Sequence, residues 1–314
     1  MCPEQRITLG KTDILISPMG LGTMQWGDVR ITDHSSTKND KDIHDTFQTS
    51  LEMGINFFDT AEIYGNGRSE SFMGKYRREI SDNIVIATKF MPFPWRLSKG
   101  ELRSALHKSL KRLGLAQVDL YQIHWPFPPV PIKTWMDAMS EVVADGLIRA
   151  VGVSNHSPAQ TESAVEALTK HGIPLASNQV KYSLLDRRPD ISGLVSLCKK
   201  LEITIIAYSP LEKGVLTGKY TQDNLPNGIR SWQYNRSYLK KFEPLLTELI
   251  NIGKIHEGKT PGQVSLNWLI STGIVQIPGA KTLSQAKENA GAIGWQLTGE
   301  EIARLDIISN QVAL

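Results

Sequence analysis

Ile55-Asn56-Phe57-Phe58-Asp59, Ile84-Val85-Ile86-Ala87-Thr88-Lys89 and Val118-Asp119-Leu120-Tyr121-Gln122-Ile123-His124 are short apolar runs rich in β-branched and aromatic residues. Runs of this kind read as buried strands. Each ends on a different ionisable side chain: a carboxylate, an ammonium, an imidazole. The last residues are about 30 and about 35 positions apart, roughly one strand–helix unit each. If the strands are parallel neighbours, about 4.8 Å apart, Asp59, Lys89 and His124 leave the same ends and converge. Tyr64 follows Asp59 by one short loop, Thr60-Ala61-Glu62-Ile63.

The same alternation runs from end to end of the chain. Strands are expected over residues 18–22, 55–59, 84–89, 118–124, 148–153, 175–179, 204–208 and 274–277, which makes eight. Between them lie amphipathic stretches, for example residues 99–113, where Leu102, Leu106, Leu110 and Leu113 share one helical face. Repeated β-then-α units imply parallel strands with right-handed crossovers. The expected fold is therefore a (β/α)8 TIM barrel over residues 1–314, in one domain. An N-terminal β-hairpin, residues 6–9 and 13–17 with its turn at Gly10-Lys11, would lie across its bottom. Residues 25–40 and 211–238 are longer than ordinary loops. Both leave the C-terminal ends of strands, the face that carries active sites in such barrels. The second, with Trp232 and Tyr234, is the better candidate for a lid.

Composition narrows the functional classes. Of 314 residues 40% are hydrophobic and 21% charged, ordinary for a globular domain. The net charge of +3 is spread over 35 basic and 32 acidic residues without a long block of one sign, so no nucleic-acid or membrane partner is called for. Cys2 and Cys198 are too far apart in sequence for a disulfide framework or a metal motif, and Cys198, among leucines and valine, reads as core. Residues 1–10 show no signal core or arginine-rich stretch, and a cytoplasmic home is the expectation. Oligomeric state is expected to be monomer or weak homo-oligomer.

The ionisable quartet suits a proton donor. A tyrosine with its pKa near 10 donates poorly at neutral pH. An adjacent ammonium favours the phenolate and lowers that value, and Asp59 would hold Lys89 charged and in place. His124 would hydrogen-bond a carbonyl oxygen and orient it.

At this point the chain resembles the aldo-keto reductases. Gly20-Leu21-Gly22-Thr23-Met24, Asp59-Thr60-Ala61 with Tyr64-Gly65, Gly67-Arg68-Ser69-Glu70, Gly152-Val153-Ser154-Asn155, Asn178-Gln179 and Ile277-Pro278-Gly279-Ala280-Lys281 resemble the family's landmarks, in its order. The form Tyr64-Gly65-Asn66-Gly67-Arg68-Ser69-Glu70 is similar to the branch holding bacterial and plant aldehyde reductases and potassium-channel β subunits. The resemblance implies an NADPH-dependent reduction of a small-molecule aldehyde or ketone, without metal, in which Asp59, Tyr64, Lys89 and His124 are catalytic.

A nicotinamide is also what the residues call for, since no redox-metal motif is present and a cofactor would carry the hydride. There is no Gly-x-Gly-x-x-Gly after the first strand, so a Rossmann site is not expected. Ser154, Asn155 and Gln179 close the fifth and sixth strands with a hydroxyl and amides suited to a carboxamide, and Tyr208 offers a flat face. The resemblance assigns the first three to the nicotinamide, Gly22, Thr23, Met24 and Asp59 to the cofactor, and Ser209, Pro210, Leu211, Gly214 and Leu216 to the pyrophosphate loop. Gly279, Ala280, Lys281, Ser284 and Gln285 surround an expected helix start, where unpaired N–H groups favour an anion. No Asp or Glu occurs from residue 276 to 287. Glu288 and Asn289 are similar to the family's adenine-side contacts.

Trp26, Phe93, Trp95, Trp125, Trp232 and Tyr234, with Tyr64 and His124, are expected to wall the substrate pocket. Two positions depart from the family pattern: His156 stands where Phe is common, and Lys181 where Glu is common. The competing class is a cofactor-binding regulatory subunit similar to channel β subunits, with little turnover. The chain's start only a few residues before the hairpin is read in favour of the stand-alone enzyme.

Overall fold

The computed structural model describes residues 6–27, 36–80, 83–226, 228 and 230–312. Its strands are Ile7–Thr8 (β1), Leu15–Ile16 (β2), Leu21–Gly22 (β3), Phe57–Asp59 (β4), Val85–Phe90 (β5), Val118–Ile123 (β6), Ile148–Ser154 (β7), Leu175–Lys181 (β8), Thr204–Tyr208 (β9) and Val275–Gln276 (β10). From β3 to β10 they pair in sequence order, each pair parallel. Parallel bridges Met19–Gln276 and Gly22–Gly279 join the last strand back to the first. The result is a (β/α)8 barrel.

Alternation within each run sorts side chains between two faces. Phe57, Val85, Ala87, Leu120, Ala150, Ile206, Val275 and Ile277 point into one inner cluster. Phe58, Ile86, Tyr121, Ile123 and Val153 belong to the larger outer cluster, which the helices cover. The helix Lys99–Leu113 forms where its leucine spacing places it. The Ser98 N–H donates to Glu101 at 3.1 Å at its start, and Gly114 ends it at φ +66°.

The hairpin closes the N-terminal end, as expected. Leu9, Ile14 and Ile16 are buried in the inner cluster. Gly10 turns at φ +55°, where a Cβ would stand 2.4 Å from the Ala176 carbonyl oxygen. Asn56 ties the hairpin down: its Oδ1 accepts from Ser17 N at 2.7 Å and Arg6 Nη1 at 2.6 Å, and its Nδ2 donates to Leu15 O at 2.9 Å. Near this end a cavity of about 1030 Å3 is lined by Ile7, Pro18, Cys198, Ile203 and Ile274 among others, and by none of the candidate site residues. Cys198 is core, its thiol pushed up to about 12 by burial.

Some boundaries differ from expectation. The strands expected over 18–22 and 274–277 shorten to Leu21–Gly22 and Val275–Gln276, because Met19 and Gly279 make only isolated bridges at the seam. The stretch 25–40 is bounded by helices Met24–Gly27 and Ser36–Glu52, and residues 28–35 fall outside the described residues. The stretch 211–238 is not a plain loop: it holds a 3-10 segment Glu212–Thr217, a short helix Arg230–Gln233, and the start of Arg236–Ile255, where Asn235 Oδ1 accepts from Tyr238 N.

Asn56→Ala leaves the buried Ser17 N–H unpaired. It should cost about 1–3 kcal/mol, read as a lower urea midpoint at unchanged slope.

Candidate active site

The strand ends deliver what the alternation predicts. Asp59, Lys89 and His124 are each in phase with the inward residues of their strands, Phe57, Ala87 and Leu120. Lys89 is fully buried. Its Nζ donates to Asp59 Oδ2 at 2.5 Å and Thr60 O at 2.8 Å, and stands 3.4 Å from the Tyr64 hydroxyl. The Tyr64 and His124 rings meet edge to face with centroids 5.8 Å apart.

Local structure holds Tyr64 there. Gly65, at φ +59°, lies so close to Gly27 that a Cβ would stand 2.0 Å from the Gly27 carbonyl oxygen. Ser69 locks the start of the next helix: its Oγ donates to Thr23 O at 2.9 Å and accepts from Thr60 Oγ1 at 2.9 Å.

The charges act on one another. Burial acts to lower the Lys89 pKa, but Asp59 and Tyr64 outweigh it, and the net direction is upward, so Lys89 stays an ammonium. For Tyr64 the expectation of a lowered pKa is corrected. Burial raises it above the usual tyrosine value, Lys89 pulls down and Asp59 pushes up, and burial wins. Tyr64 is thus a protonated phenol, the form a proton donor needs. His124 is pushed down to about 3 by burial and then by the Lys89 charge, so its imidazole is neutral.

Ser154, Asn155, Gln179 and Tyr208 are brought together beside the quartet. Ser154 Oγ donates to Gln179 O at 2.8 Å, Asn155 Nδ2 to His124 O at 3.1 Å, and Tyr208 OH to Asn155 Oδ1 at 3.0 Å. Gln179 Nε2 donates to Asp59 Oδ1 at 2.7 Å, so its amide already serves the carboxylate. Thr23 is buried and donates to Asp59 O at 2.9 Å; Gly22 is partly buried and Met24 exposed. Ser209, Glu212, Lys213 and Gly214 all have positive φ, giving a tightly coiled turn after Pro210 and Leu211 that leads into buried Leu216.

The helix expected after Gly279-Ala280-Lys281-Thr282 forms there, with Ser284 and Gln285 in its first turn. The helix is Leu283–Ala290, capped by Thr282. Gln285 Oε1 accepts from Lys281 N at 2.8 Å, and Ser284 is exposed in the same turn. Glu288 accepts from Thr260 Oγ1 at 2.5 Å, and Asn289 Nδ2 donates to Gly279 O at 3.4 Å.

The aromatic residues divide. Trp95, Trp125 and Trp232 are exposed, Trp95 stacking on Phe93 at 4.6 Å. Phe127, stacked on Trp125 at 5.6 Å, joins them and was missed; its signal was an aromatic two residues beyond Trp125. Two expectations are corrected. Trp26 is 1% exposed, and its indole donates to Ala280 O at 3.1 Å, so it supports the Gly279-Ala280 segment. Tyr234 is fully buried, its hydroxyl donating to Glu212 at 2.8 Å. Neither offers surface to a pocket.

Of the departures, Lys181 pairs with Glu212 at 2.5 Å and Asp186 at 3.2 Å. His156 is buried against Ser154 O at 2.9 Å and pushed down to about 4 by burial. Among the described residues no cluster of three His, Cys, Asp or Glu could hold a metal, and no helix is long and apolar enough to cross a membrane.

Residues 18–310 match the Aldo/keto reductase family. The chain belongs to that family. It is 39% identical to the chloroplastic pyridoxal reductase of Arabidopsis thaliana, over 98% of this chain and 87% of that protein. A thermostable aldo-keto reductase solved with the inhibitor epalrestat is 34% identical, with a TM-score of 0.80 over 96% of this chain and 99% of that one. An aldo/keto reductase from Klebsiella pneumoniae, in complex with NADP and acetate, is 27% identical with a TM-score of 0.76, over 99% and 96%. Membership makes this aldo/keto reductase an oxidoreductase.

The two buried neutral histidines have a measurable consequence. Both have depressed pKa values in the fold, so between about pH 6.5 and pH 4 the unfolded chain binds more protons. Stability should rise with pH across that window and fall on acidification. The slope should reach about 1.4 kcal/mol per pH unit for each histidine. Urea titrations between pH 5 and pH 7 measure it, and His156→Phe should remove about half.

Proposed function

We propose that this chain reduces an aldehyde or ketone to the alcohol, with NADPH as hydride source and Tyr64 as proton donor. The observation that carries the reading is the Tyr64 hydroxyl 3.4 Å from a buried ammonium that is itself held by Asp59. Bound NADPH supplies the hydride to the carbonyl carbon. The oxygen, gaining negative charge, takes the phenolic proton, and Lys89 offsets the charge left on Tyr64. His124, being neutral, orients the carbonyl by a hydrogen bond and does not compete as an acid.

The residues fit the cofactor. Ser154, Asn155 and Gln179 offer hydroxyl and amide groups beside the quartet, and Tyr208 is held with its hydroxyl on Asn155. At the other end, the helix from Leu283 presents its start beside Lys281 with no acid between residues 276 and 287. Trp95, Phe93, Trp125, Phe127 and Trp232 offer flat apolar faces, which suit an aromatic or apolar aldehyde. The name of the Arabidopsis relative makes pyridoxal the first substrate to try.

Purified protein given excess NADPH and an aromatic aldehyde panel that includes pyridoxal should pass one turnover per site. A single burst followed by no further consumption would instead describe a cofactor-holding subunit. Tyr64→Phe should lower turnover by roughly 10²–10⁴ with NADPH affinity little changed; retention of more than about a tenth of the wild-type rate, with chemistry rate-limiting, contradicts the role. Lys281→Ala should weaken NADPH by roughly 10- to 150-fold, the worth of one charge-assisted hydrogen bond, and leave NADH nearly unchanged. Cofactor titrations by tryptophan fluorescence separate the two, and equal losses would remove Lys281 from phosphate recognition.

A further inference from the structure

Asp59 has two oxygens, and the proton-donor pair uses only one. Oδ2 takes the Lys89 ammonium at 2.5 Å. Oδ1 accepts from Gln179 Nε2 at 2.7 Å and from Gln122 Nε2 at 3.3 Å. Gln122 is fully buried inside the barrel mouth, in phase with Leu120 below it and level with Lys89 on the neighbouring strand. Gly152 makes the space: a Cβ there would stand 2.8 Å from Gln122 Cγ. Gln122 Oε1 in turn lies 3.5 Å from Gln179 Nε2.

Both neighbours of the Gln179 amide, a carboxylate oxygen and the Gln122 carbonyl oxygen, are acceptors. They fix its N–H2 toward Asp59. Its carbonyl oxygen is thereby directed away from the carboxylate, leaving an acceptor for an amide N–H. We propose that Gln122 is a positioning residue that sets the orientation of Gln179 and shares the charge of Asp59, linking the cofactor wall to the proton donor. The inference rests on the carbonyl-reductase reading of this site.

The consequence is electrostatic. Tyr64 faces Lys89 from β5, Asp59 from β4, the neutral His124 from the end of β6 and, less closely, Tyr208 from β9. An amide donor on Asp59 Oδ1 tempers the negative field that the carboxylate casts on the phenol. Removing it strengthens that field, holds the phenolic proton more tightly, and moves the alkaline loss of reductase activity to higher pH.

The test is the pH dependence of kcat for NADPH-driven reduction of an aromatic aldehyde, in wild type, Gln122→Met and Gln122→Glu. Both substitutions keep the length of the side chain, and urea midpoints verify that each folds. Gln122→Met should move the alkaline limb upward by about half a pH unit, a roughly threefold change in acidity. It should also raise the KM for NADPH severalfold, as Gln179 loses its fixed orientation. Gln122→Glu, which puts a carboxylate in the same place, should move the limb further. An unshifted limb with kcat and KM scaled together would make Gln122 a filler of space and overturn the inference. A wild-type protein whose alkaline limb survives Tyr64→Phe would overturn the carbonyl-reductase reading and this inference with it; a limb that vanishes in Tyr64→Phe but stays put in Gln122→Met overturns only the latter.

Discussion

The Lys89–Asp59 ion pair is the constraint around which the upper half of the barrel is organised. Both side chains are essentially without solvent contact. Taking two charges out of water costs several kcal/mol per ion, and their mutual attraction offsets this only where the remaining hydrogen-bonding capacity is filled. Here it is filled. Lys89 donates to a carboxylate and a backbone carbonyl, and Asp59 accepts from one ammonium and two amides. Those partners come from four strands and one loop, so the pair demands a closed barrel in correct register. A slip of one residue in any contributing strand would turn its polar group to the helix side.

This demand divides the barrel interior into two layers. The lower one is apolar, filled by Phe57, Val85, Ala87, Leu120, Ile206, Val275 and Ile277 and plugged by the hairpin residues Leu9, Ile14 and Ile16. The upper one is polar, with Asp59, Lys89, Gln122, Ser154 and Gln179. The lower layer supplies hydrophobic stabilisation, and the upper one places charge where water is excluded, which strengthens each interaction there. Conserving energy in one layer and placing chemistry in the other is how a packed barrel carries a reactive mouth.

Much of this was legible in residue order. Period-two alternation and strand-end charges placed Asp59, Lys89 and His124, because both follow from local geometry. Gln122 has the same phase, two residues beyond Leu120, yet a glutamine inside an apolar run is no strand-end charge and was passed over. Trp26 and Tyr234 were misplaced because an aromatic in a loop is the same signal whether it faces a pocket or the core. What decides it is distant: Ala280, 254 positions from Trp26, and Glu212, which Tyr234 meets through a segment of non-helical turns. Strand ends at the seam were overestimated for a similar reason, since the pairing of Met19 and Gly279 depends on how the sheet closes.

Burial, with the cation beside it, also explains why the site has one acid and not two. An imidazole beside a tyrosine would ordinarily titrate near neutrality and compete to protonate the same oxygen. Lys89 acts on both rings in the same sense, favouring loss of the proton from each. Burial makes a positive charge on His124 unfavourable, and the Lys89 charge adds to this, so the imidazole is neutral down to about pH 3. The same charge favours the anion of Tyr64, countering part of the burial that keeps the phenol protonated. His156 is excluded separately, by burial against the Ser154 carbonyl. At neutral pH the only group in the quartet that holds a proton it can give to a substrate oxygen, while its conjugate base is stabilised in place, is Tyr64. That selectivity comes first from burial, which keeps both rings uncharged, and then from the ammonium, which stabilises the anion that Tyr64 leaves behind.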